Sequence, residues 1–407
     1  MAEKNNKKEF VVKKPAFFAY TFPAYIVKLF SRLYWKLKTD NSEIKGLTSP
    51  ILAIAPHMST IDVVATVCTL LPKRYNVVTA KDLFTWKQLK PFIKAFGAIP
   101  MSQCAMDLSS IKNIKSAIDK NLNVLLYPEG RTSLDGRNLY YLNPSIGKLI
   151  KFLNCNVVVV KANGCYSTKP RYIKGFRRGR IESKASVLIT KEQLATLSPK
   201  EIYEKVKDSL VTNDNVWQIE NGIKFKAKEL ASNLNYVLYK CPRCGREYCM
   251  KAEKDLLTCT SCNNVVRYTP EGRLVPVGDG VAIERIDLWM DYEKESILEE
   301  ISQENFYISN PVNAFIRDDE LHEYIPVGEG ELYVDGEHIG YRGTENCALT
   351  DKKLSLKNMP TIITKNSEGI DLVFDNVTYR FMFVDKKYST KYGLIVEAYF
   401  AKNNNLI

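Results

Sequence analysis

Four short apolar runs, "ILAIA" (51–55), "YNVVTA" (75–80), "NVLLYP" (123–128) and "NVVVVKANG" (156–164), are separated by stretches whose apolar residues recur at helical spacing. Uninterrupted apolar runs of this length read as strands covered on both faces, and strand alternating with helix specifies βαβ units and a mostly parallel sheet. Helical patterns over 60–71, 84–96, 108–121, 144–153 and 199–210 complete the alternation, so residues 46–215 are expected to form one α/β domain. A chain of 407 residues is long for a single core, and the pattern changes after that domain. A helical linker is expected over 216–240, a cysteine-rich unit over 241–270, and an acidic accessory unit over 271–407, with a helix near 286–301 and alternating strands from about 325.

Charge divides the chain in the same way. Residues 1–274 carry 45 Lys and Arg against 22 Asp and Glu, whereas 275–407 carry 13 against 24. The basic part calls for an anionic partner, a phospholipid surface or a nucleic acid, and charge alone does not choose between them. Residues 1–45 imitate a secretory signal, with lysines ahead of an apolar run over 15–27, but no small-residue cleavage site follows. The run also falls short of the ~20 residues that cross a bilayer. Its aromatics Phe17, Phe18, Tyr20, Phe22, Tyr25, Phe30, Tyr34 and Trp35 suit a headgroup boundary, and Lys28, Arg32, Lys36 and Lys38 suit anionic lipid. The arm is therefore expected to lie on a membrane surface. The alternative is an amphipathic helix packed on the protein's own core.

Two constellations carry chemistry. In "PHMSTID" the histidine and aspartate, His57 and Asp62, are five apart and would point in different directions on one continuous helix. If His57 lies in the loop after strand 51–55 and a helix begins beside Asp62, the carboxylate folds back onto the imidazole and makes a general base with its orienting partner. Otherwise His57 is a loop residue and Asp62 only favours a helix N-terminus. In "YPEGRTS" a buried strand runs into Glu129, Gly130, Arg131, Thr132 and Ser133. A turn at glycine that presents an arginine and two hydroxyls suits an oxyanion or phosphate, although Glu129 and Arg131 could equally form a structural ion pair.

Together these blocks resemble the lysophospholipid acyltransferase family, to which 1-acylglycerol-3-phosphate acyltransferase belongs, with its HX4D and FPEGTRS motifs. The segments "FIKAFGAIPMSQ" and "VVVVKANGCYSTKPRYIKGFRRGRIE" fall in the right order for its second and fourth blocks, and the likeness spans about residues 20–215. The resemblance implies a glycerolipid acyltransferase-like α/β domain, with His57 as general base and Asp62 as its partner. It implies that Glu129, Gly130, Arg131, Thr132 and Ser133 bind the acceptor, with Gly97 marking the second block. It further implies a phospholipid-biosynthetic reaction that moves a fatty acyl chain from acyl carrier protein or coenzyme A to a lysophospholipid hydroxyl, foremost the 2-position of 1-acylglycerol 3-phosphate. Three positions depart from the family pattern. Gln103 stands where an arginine is usual, Arg131 precedes the threonine instead of following it, and no proline follows the valines of 157–160. Lys81, Lys87, Lys161, Lys169 and Arg171 are candidates to replace the missing cation.

Cys241-x2-Cys244 and Cys259-x2-Cys262 have zinc-ribbon spacing, with Gly245 and Asn263 suited to the left-handed turn after each pair. Four cysteines leave no open coordination position, so the expected zinc is structural. The absence of a disulfide-scaffold density points to a reducing compartment and the cytoplasmic face of a membrane. A ribbon on a basic chain also suits a zinc-dependent nucleic-acid-binding protein. Against that reading, no nucleic-acid motif accompanies it and acidic sequence follows it, so no nucleic-acid partner is expected. An acyltransferase fold that has lost activity and serves as a membrane scaffold is the other alternative, and the retention of His57 and Asp62 argues against it.

Overall fold

The computed structural model describes residues 10–86, 90–102, 108–138, 141–318, 323–365, 368–375 and 377–406. The first unit is built on seven strands: β1 (Lys38–Asp40), β2 (Ile51–Ile54), β3 (Tyr75–Ala80), β4 (Ile99–Met101), β5 (Asn123–Leu126), β6 (Asn156–Asn163) and β7 (Glu182–Ile189). Their order is β1-β7-β6-β2-β5-β3-β4. The four apolar runs supply the central strands β6, β2, β5 and β3, which are parallel to one another, while β7 runs antiparallel to β6. Both faces of these strands are covered: Leu52, Ile54, Val124 and Leu126 pack into one apolar layer and Ile51, Ala53, Leu125 and Val158 into the other.

Eleven α-helices lie among the described residues: α1 (Phe17–Tyr34), α2 (Asp62–Leu70), α3 (Lys90–Ala95), α4 (Leu108–Asp119), α5 (Ser145–Leu153), α6 (Cys165–Thr168), α7 (Lys191–Thr196), α8 (Pro199–Leu210), α9 (Asp214–Glu220), α10 (Ile286–Glu300) and α11 (Ser389–Asn403). The start of α8 is written in "SPKE": the Ser198 hydroxyl accepts from the Glu201 N–H, the Glu201 carboxylate accepts from the Ser198 N–H, and Pro199 opens the first turn. The pattern over 84–96 does not make one helix. A 3-10 turn at Lys81–Thr85 precedes α3, and residues 87–89, which include Lys87, lie outside the described chain.

The expected helical linker over 216–240 is also not one helix. It consists of α9, turns and a 3-10 turn at Leu234–Tyr236, because Gly222 and Asn233 take positive φ and break the ladder. Strands β8 (Met250–Glu253), β9 (Leu256–Cys259), β10 (Val265–Tyr268) and β11 (Leu274–Pro276) then form a small antiparallel sheet. The last unit is a seven-stranded antiparallel sheet closed by α11. Its strands are β12 (Ile308–Asp318), β13 (Glu323–Val334), β14 (His338–Glu345), β15 (Ala348–Ser355), β16 (Ile363–Lys365), β17 (Gly369–Phe374) and β18 (Val377–Phe383). This sheet begins at 308, earlier than the alternation from 325 suggests, because β12 carries Asn310, Pro311 and Asn313 among its apolar residues.

Helix α1 has two apolar faces. Tyr20, Ala24 and Ser31 are buried against the first unit, and the Lys28 ammonium donates to the Cys68 carbonyl at 2.8 Å. Phe18, Phe22 and Leu33 on the outer face are 81%, 69% and 72% exposed. Three residues of the expected lipid-facing set therefore point inward: Tyr20 and Trp35 are core residues, and Lys28 answers a helix C-terminus. Among the described residues, no helix is long and apolar enough to cross a membrane.

Candidate active site

Because β2 and β5 are parallel neighbours, with Ile54 opposite Leu126, the loops leaving their C-terminal ends emerge side by side. His57 and Glu129 each stand three residues beyond their strands. The His57 N–H donates to the Glu129 carboxylate at 3.3 Å, and the Ser133 N–H donates to the His57 carbonyl at 2.8 Å. The imidazole lies on the Tyr127 ring, with centroids 4.5 Å apart. Two motifs separated by 72 residues thus share one loop cluster.

The turn after β2 delivers the geometry that a continuous helix could not. Helix α2 starts at Asp62, whose carboxylate reaches back to accept from the Ser59 N–H at 2.8 Å and lies 3.2 Å from His57 Nδ1. Asp62 is 1% exposed and His57 20%, so the carboxylate is sealed while the ring remains reachable. Burial pushes the Asp62 carboxyl above the ordinary carboxylate range, opposed by its bonds to His57 and Ser59. With Nδ1–H turned to the carboxylate, Nε2 keeps its lone pair for a proton.

Strand β6 closes the other side of β2. The loop after it is pinned by Asp214, a buried residue that sequence reasoning missed, which accepts from the N–H groups of Gly164 and Tyr166 at 3.0 and 2.8 Å. Burial raises the Asp214 carboxyl to about 7. The same loop is tied to the histidine block through the Ser59 hydroxyl, which donates to the Lys169 carbonyl at 2.6 Å.

The five residues of the third block divide in role. Gly130 has a φ of 71°, the left-handed turn that suits glycine. The Ser133 hydroxyl is buried and accepts from the Gly136 N–H at 3.0 Å, so it fixes the turn. The Thr132 carbonyl accepts from Arg171 Nη1 at 3.2 Å, which brings this candidate cation to the loop. Lys161 and Lys169 are bonded to backbone carbonyls elsewhere, the first to Val211 and the second to Ile173 and Lys174.

Arg131 is buried and engaged by the last unit of the chain: Nη2 donates to the Glu397 carboxylate on α11, and Nη1 to the Ile362 carbonyl at 3.4 Å. Arg171 Nη2 donates to the Thr364 carbonyl, and the Thr361 hydroxyl bonds Glu397 at 3.0 Å. Arg131 Nε is buried with no hydrogen-bond partner. Burial, together with the neighbouring Arg131 charge, lowers the Arg171 pKa. A cavity of about 780 Å³ opens beside this cluster, bordered by Arg131, Glu129, Glu397, Lys207, Trp217 and Lys294.

Gly97 does not join the site. It lies two residues before β4, which pairs with the C-terminal half of β3, and it packs against Lys13 and Asn76. Its φ is 55°, and its carbonyl and that of Lys13 both accept from the Asn76 amide at 2.7 Å. This glycine serves close packing of the chain's N-terminal segment. Gln103 lies outside the described residues.

Cys241, Cys244, Cys259 and Cys262 form a second centre, with all four sulfurs within 4.8 Å of one another. Cys241 and Cys262 are 3.7 Å apart and Cys244 and Cys259 3.8 Å, which is the edge of about 3.8 Å expected for a tetrahedron of thiolates 2.3 Å from one ion. Gly245 and Asn263 have φ of 70° and 57°, and each donates its N–H back to the carbonyl of the preceding Cys241 or Cys259 at 2.9 Å. N–H groups of Arg243 and Cys244 face the Cys241 sulfur, and that of Arg246 faces Cys244. The donor set fits a closed metal site.

Residues 36–161 match the family model described as Acyltransferase. The matched segment holds His57, Asp62 and the third block, and leaves the cysteine cluster and the last sheet unmatched. No curated protein matches the chain. Similar solved structures include the 1-acyl-sn-glycerophosphate (LPA) acyltransferase PlsC from Thermotoga maritima, at 16% identity over 46% of this chain and 76% of that one, with a TM-score of 0.38. The Ran binding domain of the nuclear complex component Nup2 from Ashbya gossypii is similar at 16% identity over 23% of this chain and 93% of its own, with a TM-score of 0.19.

Proposed function

We propose that this chain is a glycerolipid acyltransferase that moves a fatty acyl group from acyl carrier protein or coenzyme A to the hydroxyl of 1-acylglycerol 3-phosphate or a related lysophospholipid. The observation that carries the reading is the His57–Asp62 pair, 3.2 Å apart, beside the loop of Glu129 and Arg131. The acceptor hydroxyl gives its proton to His57 Nε2 as its oxygen attacks the thioester carbonyl. The tetrahedral intermediate then expels the thiolate, which recovers the proton from the imidazolium. A thioester is already activated, so no covalent enzyme intermediate is required. Asp62 holds the productive tautomer and offsets the charge that His57 gains.

The outer face of α1 rests on the membrane, where the acceptor's acyl chain resides. Phe18, Phe22 and Leu33 make an exposed apolar stripe that a soluble surface rarely carries. The cysteine cluster holds one zinc ion in a structural role. Purified protein assayed against a panel of lysolipids with both donor types tests the assignment. His57→Ala is expected to lower turnover by roughly 10² to 10⁴ or more with the fold retained, and a folded variant with unchanged turnover refutes it. Salt-sensitive binding to DNA or RNA, with none to lipid vesicles, would favour a nucleic-acid-binding protein instead.

A further inference from the structure

The carboxylate that meets Arg131 belongs to the protein itself. Glu397 lies 266 residues away in sequence, on a helix of the last unit, yet it is 8% exposed and bonded to the Arg131 guanidinium and the Thr361 hydroxyl. Among the described residues, the cavity beside the third-block loop is bordered by the cations Arg131, Arg137, Lys207 and Lys294 and by the anions Glu129, Asp135, Glu220, Asp291 and Glu397, with Arg171 on the loop itself. A head group entering this cluster meets charges that are already largely balanced. On the loop itself, Arg131 keeps a buried Nε donor with no hydrogen-bond partner, and Arg171 keeps whatever it can turn from backbone carbonyls.

We propose that Glu397 is a specificity-determining residue that selects acceptors whose phosphate is a diester, with one negative charge, over acceptors with a terminal phosphate monoester. The reading rests on the acyl transfer proposed above and concerns only the head group. A monoester carries close to two negative charges at pH 7, because its second pKa is about 6, and Glu397 repels it about twice as strongly as a monoanion. To reach Arg131 fully, it must also displace Glu397 and strand that carboxylate beside a dianion, the kind of arrangement by which sites reject a competitor. A diester can take the Nε donor and the Arg171 side while Glu397 stays on Nη2. The cavity of about 780 Å³ beside the cluster supplies room for the group esterified to the phosphate.

The test compares kcat/KM of the full chain, with one thioester donor, on 1-acylglycerol 3-phosphate, 1-acylglycerophosphoglycerol and 1-acylglycerophosphoethanolamine. The parent protein should prefer both diesters by about tenfold or more. Glu397→Gln removes one negative charge and should raise use of the monoester by about tenfold, more than that of either diester. A second readout needs no variant: lowering the pH from 7.5 to 5.5 protonates the monoester but not the diesters, so the diester preference should shrink, while any effect of pH common to the three acceptors cancels in the ratio. Preference for the monoester by the parent, a ratio unmoved in a folded Glu397→Gln protein, or a ratio independent of pH would each overturn the inference. Absence of transfer to every acceptor would instead strike the acyltransferase reading.

Discussion

Asp62→Asn isolates the charge of the buried carboxylate from its hydrogen bonds. Asp62 Oδ2 serves two neighbours, accepting the Ser59 N–H at 2.8 Å and standing 3.2 Å from His57 Nδ1. An asparagine must place either its oxygen or its NH2 group there. The NH2 group would oppose the Ser59 N–H, donor against donor, so the oxygen takes the position and the histidine keeps the tautomer with Nε2 free. In serine proteases the same substitution costs about 10⁴ because the tautomer is wrong. Here the loss should be smaller, about 10² in kcat or roughly 2.7 kcal/mol, from the charge alone. The rate of thiol release from the donor under saturating acceptor measures it.

The same variant should alter stability in the opposite sense. Burial raises the Asp62 carboxyl, so the folded protein binds its proton more tightly than the unfolded chain does. That contribution is complete below about pH 4, where the unfolded carboxyl is protonated too, and is lost as pH rises through the raised folded value. Asparagine has no such proton, so the thermal midpoint of Asp62→Asn should fall less between pH 4 and 8 than that of the parent. A kcat within threefold of the parent would refute the role of the charge, and a loss of 10⁴ would refute the tautomer argument.

Cys241→Ser should abolish binding of one zinc per chain and unfold the four-stranded sheet, read by metal analysis and by protease sensitivity near 241–276, since structural zinc supplies local folding free energy. Gly97→Ala should destabilise the first unit by more than about 1 kcal/mol with little change in kcat of the folded fraction. Its Cβ would stand 2.5 Å from the Lys13 carbonyl and 2.7 Å from the Asn76 amide, so a thermal midpoint equal to the parent's would contradict the packing role. Replacing Phe18, Phe22 and Leu33 with serine should weaken vesicle sedimentation even at low salt while leaving the midpoint unchanged, because these side chains face outward.

Local pattern was a sufficient guide wherever local chemistry decides structure. The buried strands, the cap of α8 and the paired cysteine turns each follow from a few adjacent residues. The meeting of His57 with Glu129 could not be read this way, because it depends on β5 pairing beside β2 and not beside another strand. The resemblance to a known family supplied that adjacency. At Gly97, which the same resemblance takes as the mark of the second block, the fold shows a glycine packed against Lys13 and Asn76. Asp214 escaped notice because an aspartate in a polar stretch gives no sign that its carboxylate will be sealed against two N–H groups.

The charge asymmetry has a second explanation besides an anionic partner. Several contacts join basic residues of the first unit to acidic residues of the last: Arg131 to Glu397, and Arg137 to Asp291 at 2.7 Å on α10. Asp82, at the C-terminal end of β3, reverses the signs by accepting from Arg317 at 2.5 Å. The acidic part of the chain thus supplies partners to the loops at the C-terminal ends of β3 and β5. Both loops border the edge where His57 stands. The last unit contributes to the electrostatics of the candidate site, so a truncation before 275 would leave Arg131, Arg137 and Arg171 without these partners, and a truncated protein cannot stand in for the full chain when acceptor preference is measured.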